Sequence, residues 1–235
     1  MSPLPRRIAL DNGVTHLAAQ PFTVLETYDQ ARVEIQSTVD PLSLQASAER
    51  KAEFRATLGD AVRDASRGIF VHDVEVTLTW YIEEARRYQT HLVADLDNVM
   101  KPILDAVTGP DGVLIDDNQI QSIKASWMTP GAAGTGFYLA FDSLLKDDYI
   151  EREGLAFVEF SADRCYILPG ALSGHETQFV SAYRARVEAY RAMLSEGIIE
   201  VAAQSVFPIA RPFPRARLGR FRVRHESDFA RSTPD

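Results

Sequence analysis

The chain has a single cysteine, Cys165, so it can form no disulfide within itself and no cysteine-based zinc centre. That lone cysteine reads as a small buried hydrophobe. Long apolar runs are missing too: nothing approaches the ~18 consecutive apolar residues of a membrane span. The opening residues MSPLPRRIALDNG hold no apolar leader core, so the expectation is an intracellular, cytoplasmic protein without membrane contact. There is no internal repeat and no low-complexity stretch. The five histidines are scattered, and His91, four residues before Asp95, reads as a polar surface residue. The loop Gly131–Gly136 lacks the lysine of a phosphate-binding loop and does not open a helix. What is present is ordinary globular material. The 235 residues are 46% hydrophobic and 25% charged, enough to bury a real core in one or two domains.

Charge is unevenly spread. The net charge is −8, which argues against a nucleic-acid partner if taken alone. Of the 25 basic and 33 acidic side chains, seven and three fall after residue 205, leaving 18 and 30 before it. Residues 206–225 hold six arginines (Arg211, Arg215, Arg217, Arg220, Arg222, Arg224) and no acid. An acidic body that ends in a basic segment suggests a contact with a polyanion or with an acidic protein surface. From Arg215 to Arg224 arginines alternate with small or apolar residues, which fits an edge strand or an arm that orders on binding.

Periodicity outlines the fold. Residues 31–39 alternate as a strand, and 43–66 predict a helix starting at Asp40 or Ser43. Residues 72–82 are a strand with Val74, Val76, Leu78 and Trp80 on one face. A polar connector (83–91), extended chain (92–97) and a helix (98–108) follow, then a turn at Gly109-Pro110-Asp111-Gly112. Residues 119–128 and 136–144 read as a hairpin. Beyond residue 146 come short strands at 155–160 and 165–169 and a long helix over 174–198. Phe179, Tyr183, Val187, Tyr190 and Leu194 give that helix an apolar stripe, read as core. Ser173 and Glu176 suggest its capping box. The fold class is α/β (α+β), a small mixed sheet with packed helices and a C-terminal α/β extension. The expected segments are 1–30, 31–146, 147–205 and an Arg-rich tail, 206–235.

The chemistry concentrates in Asp95-Leu96-Asp97-Asn98-Val99-Met100-Lys101, then Asp105, then Asp116-Asp117-Asn118-Gln119. In extended chain Asp95 and Asp97 point to one face. Pro102 belongs in a first helical turn, so a helix is expected to begin near Asp97 or Asn98. Of Asp116 and Asp117, adjacent on an extended segment, one is expected to join the first pair. Three carboxylates together repel unless a cation sits among them, and hard oxygen donors favour Mg²⁺ or Mn²⁺ over zinc. Such a site suits metal-assisted phosphoryl transfer, with Lys101 in reach of a phosphate oxygen. The same residues also read as solvated turn acids, a helix cap and a Lys101–Asp105 helix pair. A calcium loop does not fit, because DLDNVM lacks its central glycine and distal glutamate.

The run Asp95–Ile120 resembles the RusA-type Holliday junction resolvases (crossover junction endodeoxyribonucleases). Their pattern Asp-x-Asp-Asn-x-x-Lys, a helix end, a glycine turn and Asp-Asp-x-Gln-hydrophobic is matched by Asp95, Asp97, Asn98, Lys101, Asp105, Ala106, Gly112, Asp116, Asp117, Gln119 and Ile120. The resemblance covers about residues 31–145 and is strongest at 92–125. It implies a small α/β domain, a homodimer, and magnesium-dependent cleavage of branched DNA in recombination and repair. It also implies Asp95, Asp97 and Asp117 as metal ligands and Lys101 as a residue required for cleavage. Arg215, Arg217, Arg220, Arg222 and Arg224 are candidate DNA contacts beside Lys101. Family members are about half this length and basic, so the C-terminal extension either replaces missing basic surface or docks a protein partner. Two other readings stay open: a non-catalytic nucleic-acid- or protein-binding subunit, and a metal-dependent nucleotide hydrolase.

Overall fold

In the computed structural model, which describes residues 20–91, 93–132, 134–160, 164–206 and 212–229, the alternating runs become strands in the expected places. Strands β1 (Phe22–Thr27) and β2 (Arg32–Ser37) pair antiparallel. Helix α1 (Ala48–Ala65) follows, then β3 (Gly68–Phe70) and β4 (Val74–Tyr81). The N-cap of α1 is Ser47, whose hydroxyl accepts from the Arg50 amide, rather than Asp40 or Ser43. The polar connector contains a short helix, α2 (Glu84–Gln89), and α3 spans Leu96–Ala106. Strands β5 (Ile120–Met128) and β6 (Gly136–Ser143) complete a five-stranded sheet of order β1-β2-β6-β4-β5. Buried Leu58 and Val62 of α1 and Val99 and Ile103 of α3 join the apolar residues of this sheet in one core.

The expected hairpin of β5 with β6 does not form. Strand β4 lies between them, parallel to β5 and antiparallel to β6. Val74, Val76, Leu78 and Trp80 are all at most 3% exposed, so this strand takes the interior position with partners on both sides. A parallel pair needs a long crossover, which α2 and α3 supply.

Three short strands, β7 (Tyr149–Glu151), β8 (Ala156–Glu159) and β9 (Arg164–Leu168), open the C-terminal part, followed by helices α4 (Glu176–Ser195) and α5 (Glu200–Ala203). Val180, Tyr183 and Val187 of α4 pack on Val158, Tyr166 and Leu168, so the aromatic stripe is core, except for the exposed Leu194. The cap of α4 is His175, not Ser173, and no side chain caps it; Gly174, at φ 85°, turns the chain into the helix.

The described part of the basic tail, residues 212–229, is folded, with a 3₁₀ turn at Arg215–Arg217 and short edge strands at either end of the arginine stretch. Strands β10 (Phe213–Pro214) and β11 (Val223–His225) are the two edges of a four-stranded sheet, β10-β9-β8-β11. Phe213, Leu218 and Phe221 are buried beside Phe157, Ile167 and the buried Cys165, and this cluster includes Ile69, Val71 and Ile115. Packing therefore crosses the divisions expected at residues 146 and 205. Arg211 lies outside the described residues, as do residues 1–19 of the expected N-terminal segment. Among the described residues no helix is long and apolar enough to cross a membrane.

Candidate active site

Helix α3 begins earlier than the sequence predicts. Asp95 is its N-cap residue and Asp97 lies in its first turn, so the two carboxylates do not share one face of an extended strand. Pro102 then falls at the seventh helical position, where its missing N–H leaves the carbonyl of Asn98 without its usual partner. The Leu44 amide donates to that carbonyl at 2.7 Å. A tertiary hydrogen bond thus replaces the helical one, and the proline is accommodated inside the helix.

The pattern of α3 sorts its side chains. Val99, Met100, Ile103, Leu104 and Ala106 are buried against the sheet. Asp97, Lys101 and Asp105, spaced by four, form the opposite stripe, and Asp97 and Lys101 are exposed. Lys101 Nζ donates to Asp105 Oδ1 at 2.6 Å, and Arg55 reaches the other Asp105 oxygen at 3.3 Å.

The chain returns to this stripe through the glycine turn. Gly109 sits at φ 115°, and a Cβ on Gly112 would lie 2.0 Å from the carbonyl oxygen of Val107. Only glycine allows that approach. The amides of Val113 and Leu114 then donate to the Val107 carbonyl at 2.9 and 3.1 Å. Arg152, from beyond the main sheet, donates to the carbonyls of Arg63, Ser66, Asp111 and Gly112 and ties the turn to the end of α1.

Asp116 caps a short 3₁₀ turn, Asp117–Gln119, and its carboxylate accepts from the Asn118 amide. Gln119 is 4% exposed and bonded at both ends of its amide. Its oxygen accepts from the amides of Ile115 and Asp116 at 2.7 and 3.0 Å, and its nitrogen donates to the carbonyls of Phe70 and His72 at 2.8 and 3.0 Å. That clamp fixes the turn against the end of β3 and the link that leads into β4. Asp117 is thereby delivered to Lys101, whose ammonium donates to Asp117 Oδ2 at 3.0 Å.

The two adjacent acids have separate environments. Asp116 has a side chain only 8% exposed, while that of Asp117 is 35% exposed. Burial pushes the Asp116 carboxyl above the usual range, and the neighbouring Asp117 pushes it the same way. The Lys101 hydrogen bond holds Asp117 below that range, and its bonds to Asp105 and Asp117 raise Lys101 above the usual ammonium value. A single nitrogen of Arg217, Nη1, lies 3.2 and 3.3 Å from the Asp116 oxygens and 3.7 Å from Asp117 Oδ1. A cleft of about 290 Å³ opens beside this cluster between Val71–Asp73, Asn118 and Phe213–Pro214.

The structure therefore brings together Lys101, Asp105, Asp116, Asp117 and Arg217. Asp97 lies one turn away on the same stripe, and Asp95 sits at the exposed helix start. In kind, the carboxylates Asp95, Asp97 and Asp117 suit a hard divalent cation. In arrangement they do not fit one: among the described residues no three Asp, Glu, His or Cys side chains gather as a metal centre, and Lys101 and Arg217 engage Asp117 instead. Of the other tail arginines, Arg215, Arg220 and Arg222 are exposed, Arg220 pairs with Asp111 at 2.9 Å, and Arg224 lies 3.8 Å over the Phe229 ring.

Sequence reasoning gave Gln119 no structural role and read Arg217 as a contact with DNA or with an acidic protein surface, without naming Asp116 as its partner. The Asp-Asp-x-Gln spacing is a signal for the first, since a glutamine three residues after a capping Asp can close a capping box. No local signal points to the second. Compared with known proteins, the chain matches the family model described as endodeoxyribonuclease RusA over residues 26–135. No curated protein matches it.

Proposed function

From the match of residues 26–135 to the family model described as endodeoxyribonuclease RusA, we infer that the chain cuts phosphodiester bonds of DNA at branched, Holliday-type junctions. The observation that carries this reading is the Lys101–Asp117 contact, which lies inside the matched residues and joins α3 to the Asp117–Gln119 turn. Asp95, Asp97 and Asp117 act as the acids of the site and Lys101 as its phosphate contact. The charge-raising neighbours of Lys101 keep its ammonium protonated, so it stands ready to meet negative charge developing on a phosphate oxygen.

The kind of acids present suits a divalent cation, Mg²⁺ or Mn²⁺, but the described side chains are not gathered around one, and no step of the proposed cleavage is routed through it. The nuclease domain is taken as residues 31–146, followed by the extension 147–205 and the Arg-rich segment 206–235. Exposed Arg215, Arg220 and Arg222 supply positive surface on the folded tail, with Arg217 and Arg224 beside them. A homodimer fits the open edge of β5, which exposes Ile123 and Met128. A protein partner for the extension fits the exposed Ile199 and Val201 before and within α5.

The test is purified full-length protein with Mg²⁺ on four-way junctions, linear duplex, single strands and free nucleotides, with Asp97→Asn as control. Junction cutting by the wild type and none by the variant is expected. Hydrolysis of nucleotides alone would make it a nucleotide hydrolase, and DNA binding without any cutting would make it a non-catalytic subunit.

A further inference from the structure

Arg217 lies 82 residues beyond the end of the family match at residue 135, yet it touches both adjacent acids of the site. Its backbone is not free to wander. It ends the 3₁₀ turn Arg215–Arg217, with Phe213 before it and Leu218 and Phe221 after it buried in the cluster that contains Ile115, the neighbour of Asp116. The Leu218 amide closes the turn on the Arg215 carbonyl at 3.3 Å, and the Phe221 amide donates to the Leu218 carbonyl at 2.8 Å. Apolar packing on both sides therefore delivers this guanidinium to one place.

At that place two carboxylates stand side by side, one of them 8% exposed. A carboxylate so buried needs a counter-charge, and like charges next to each other repel. Arg217 Nη1 sits almost equally from both oxygens of Asp116, at 3.2 and 3.3 Å, and is farther, at 3.7 Å, from Asp117. Lys101 takes the opposite oxygen of Asp117. The two cations thus divide the pair between them.

We propose that Arg217 is a positioning residue of the active site: by pairing with Asp116 it holds that acid inward and leaves Asp117 as the member of the pair that serves Lys101 and the phosphodiester. The proposal rests on the nuclease reading above. It gives the C-terminal extension a part in the site, since the segment that packs at Ile115 also fixes the acid that follows it.

The rival role for an arginine 46% exposed is a plain contact with the DNA backbone. Three full-length variants separate the two: Arg217→Gln, Arg217→Lys and the double variant Arg217→Gln/Asp116→Asn. Each is measured for thermal unfolding, for junction affinity across salt concentrations and for single-turnover cleavage. Displacing a reacting group by about 1 Å costs up to ~10²-fold in rate. Arg217→Gln is expected to cut at least about tenfold more slowly, with affinity changed by less than about twofold. Arg217→Lys is expected to keep most activity, because one nitrogen makes all three contacts. The double variant is expected to cut faster than Arg217→Gln, because the buried charge that needed a partner is gone.

An affinity loss equal to the rate loss, with the log–log salt slope lowered by about 0.9, makes Arg217 a backbone contact and overturns the proposal. A double variant no faster than Arg217→Gln overturns it too. If Arg217→Gln does not fold, the lysine and double variants decide on the same criteria. A wild-type chain that cuts no DNA overturns the nuclease reading and this inference together, whereas equal cutting by wild type and Arg217→Gln overturns this inference alone.

Discussion

Lys101 and Asp117, sixteen residues apart in sequence, meet at 3.0 Å because a glycine turn and a glutamine clamp fold the chain back on its own helix. Asp105 first and Asp117 second hold the ammonium above its ordinary value, and Lys101 in turn holds the Asp117 carboxylate below its own.

Lys101→Ala tests whether that ammonium acts on the reaction. Loss of one transition-state contact costs ~10²-fold or more in rate, whereas loss of one phosphate contact among several changes affinity modestly. The expected result is a cleavage rate down about 10²-fold with junction affinity within about threefold. Single-turnover rates beside equilibrium binding read this directly; parallel losses would reduce Lys101 to an ordinary backbone contact.

The acid pair predicts opposite effects on stability against pH. Asp117 is held below its unfolded value of ~3.9, so its contribution is fully present above that value and is lost as pH falls through the lower folded one. Asp116 is raised, so its charged form is disfavoured in the fold and protonation relieves that cost as pH falls. Asp117→Asn is expected to flatten the acid limb of the unfolding curve, and Asp116→Asn to steepen it. Denaturant unfolding across the acid range provides the measurement, and like-signed changes would contradict the assignment.

Gln119→Leu removes the clamp while keeping the volume. It leaves the amides of Ile115 and Asp116 and the carbonyls of Phe70 and His72 without their amide partner. Buried groups stripped of partners cost about 1–3 kcal/mol each, so a total above ~3 kcal/mol is expected. For a chain of this size that lowers Tm by about 10 °C. Calorimetry settles it; a change of less than about 2 °C would show the turn to be held by other means.

Leu218 is 1% exposed in the cluster that also holds Phe213, Phe221 and Ile115. Leu218→Ala is expected to cost about 2–5 kcal/mol, and removal of residues 206–235 to destabilise the whole protein rather than trim an arm. The exposed Arg222→Ala is expected to stay within ~0.5 kcal/mol of wild type. If the truncated chain unfolds at the wild-type temperature, the tail is not part of the core.

The sequence by itself determined most elements and singled out the residues proposed for the chemistry. Alternation in 72–82 marks β4, the four-residue spacing of Asp97, Lys101 and Asp105 marks one stripe of α3, and Gly112 marks a close turn, because each of these follows from local backbone geometry. Three matters needed the tertiary structure. The Leu44 amide that satisfies Asn98 is distant in sequence, so the start of α3 at Leu96 could not be read from Pro102 alone. The insertion of β4 between β5 and β6 depends on which strand must be buried on both edges, and the turn between 128 and 136 carries no mark of that. The meeting of Arg217 with Asp116 spans 101 residues and rests on Leu218 and Phe221 entering a core shared with Ile115. An arginine between apolar residues looks the same in a free arm and in an edge segment, and only the packing of its neighbours decides where its charge is placed.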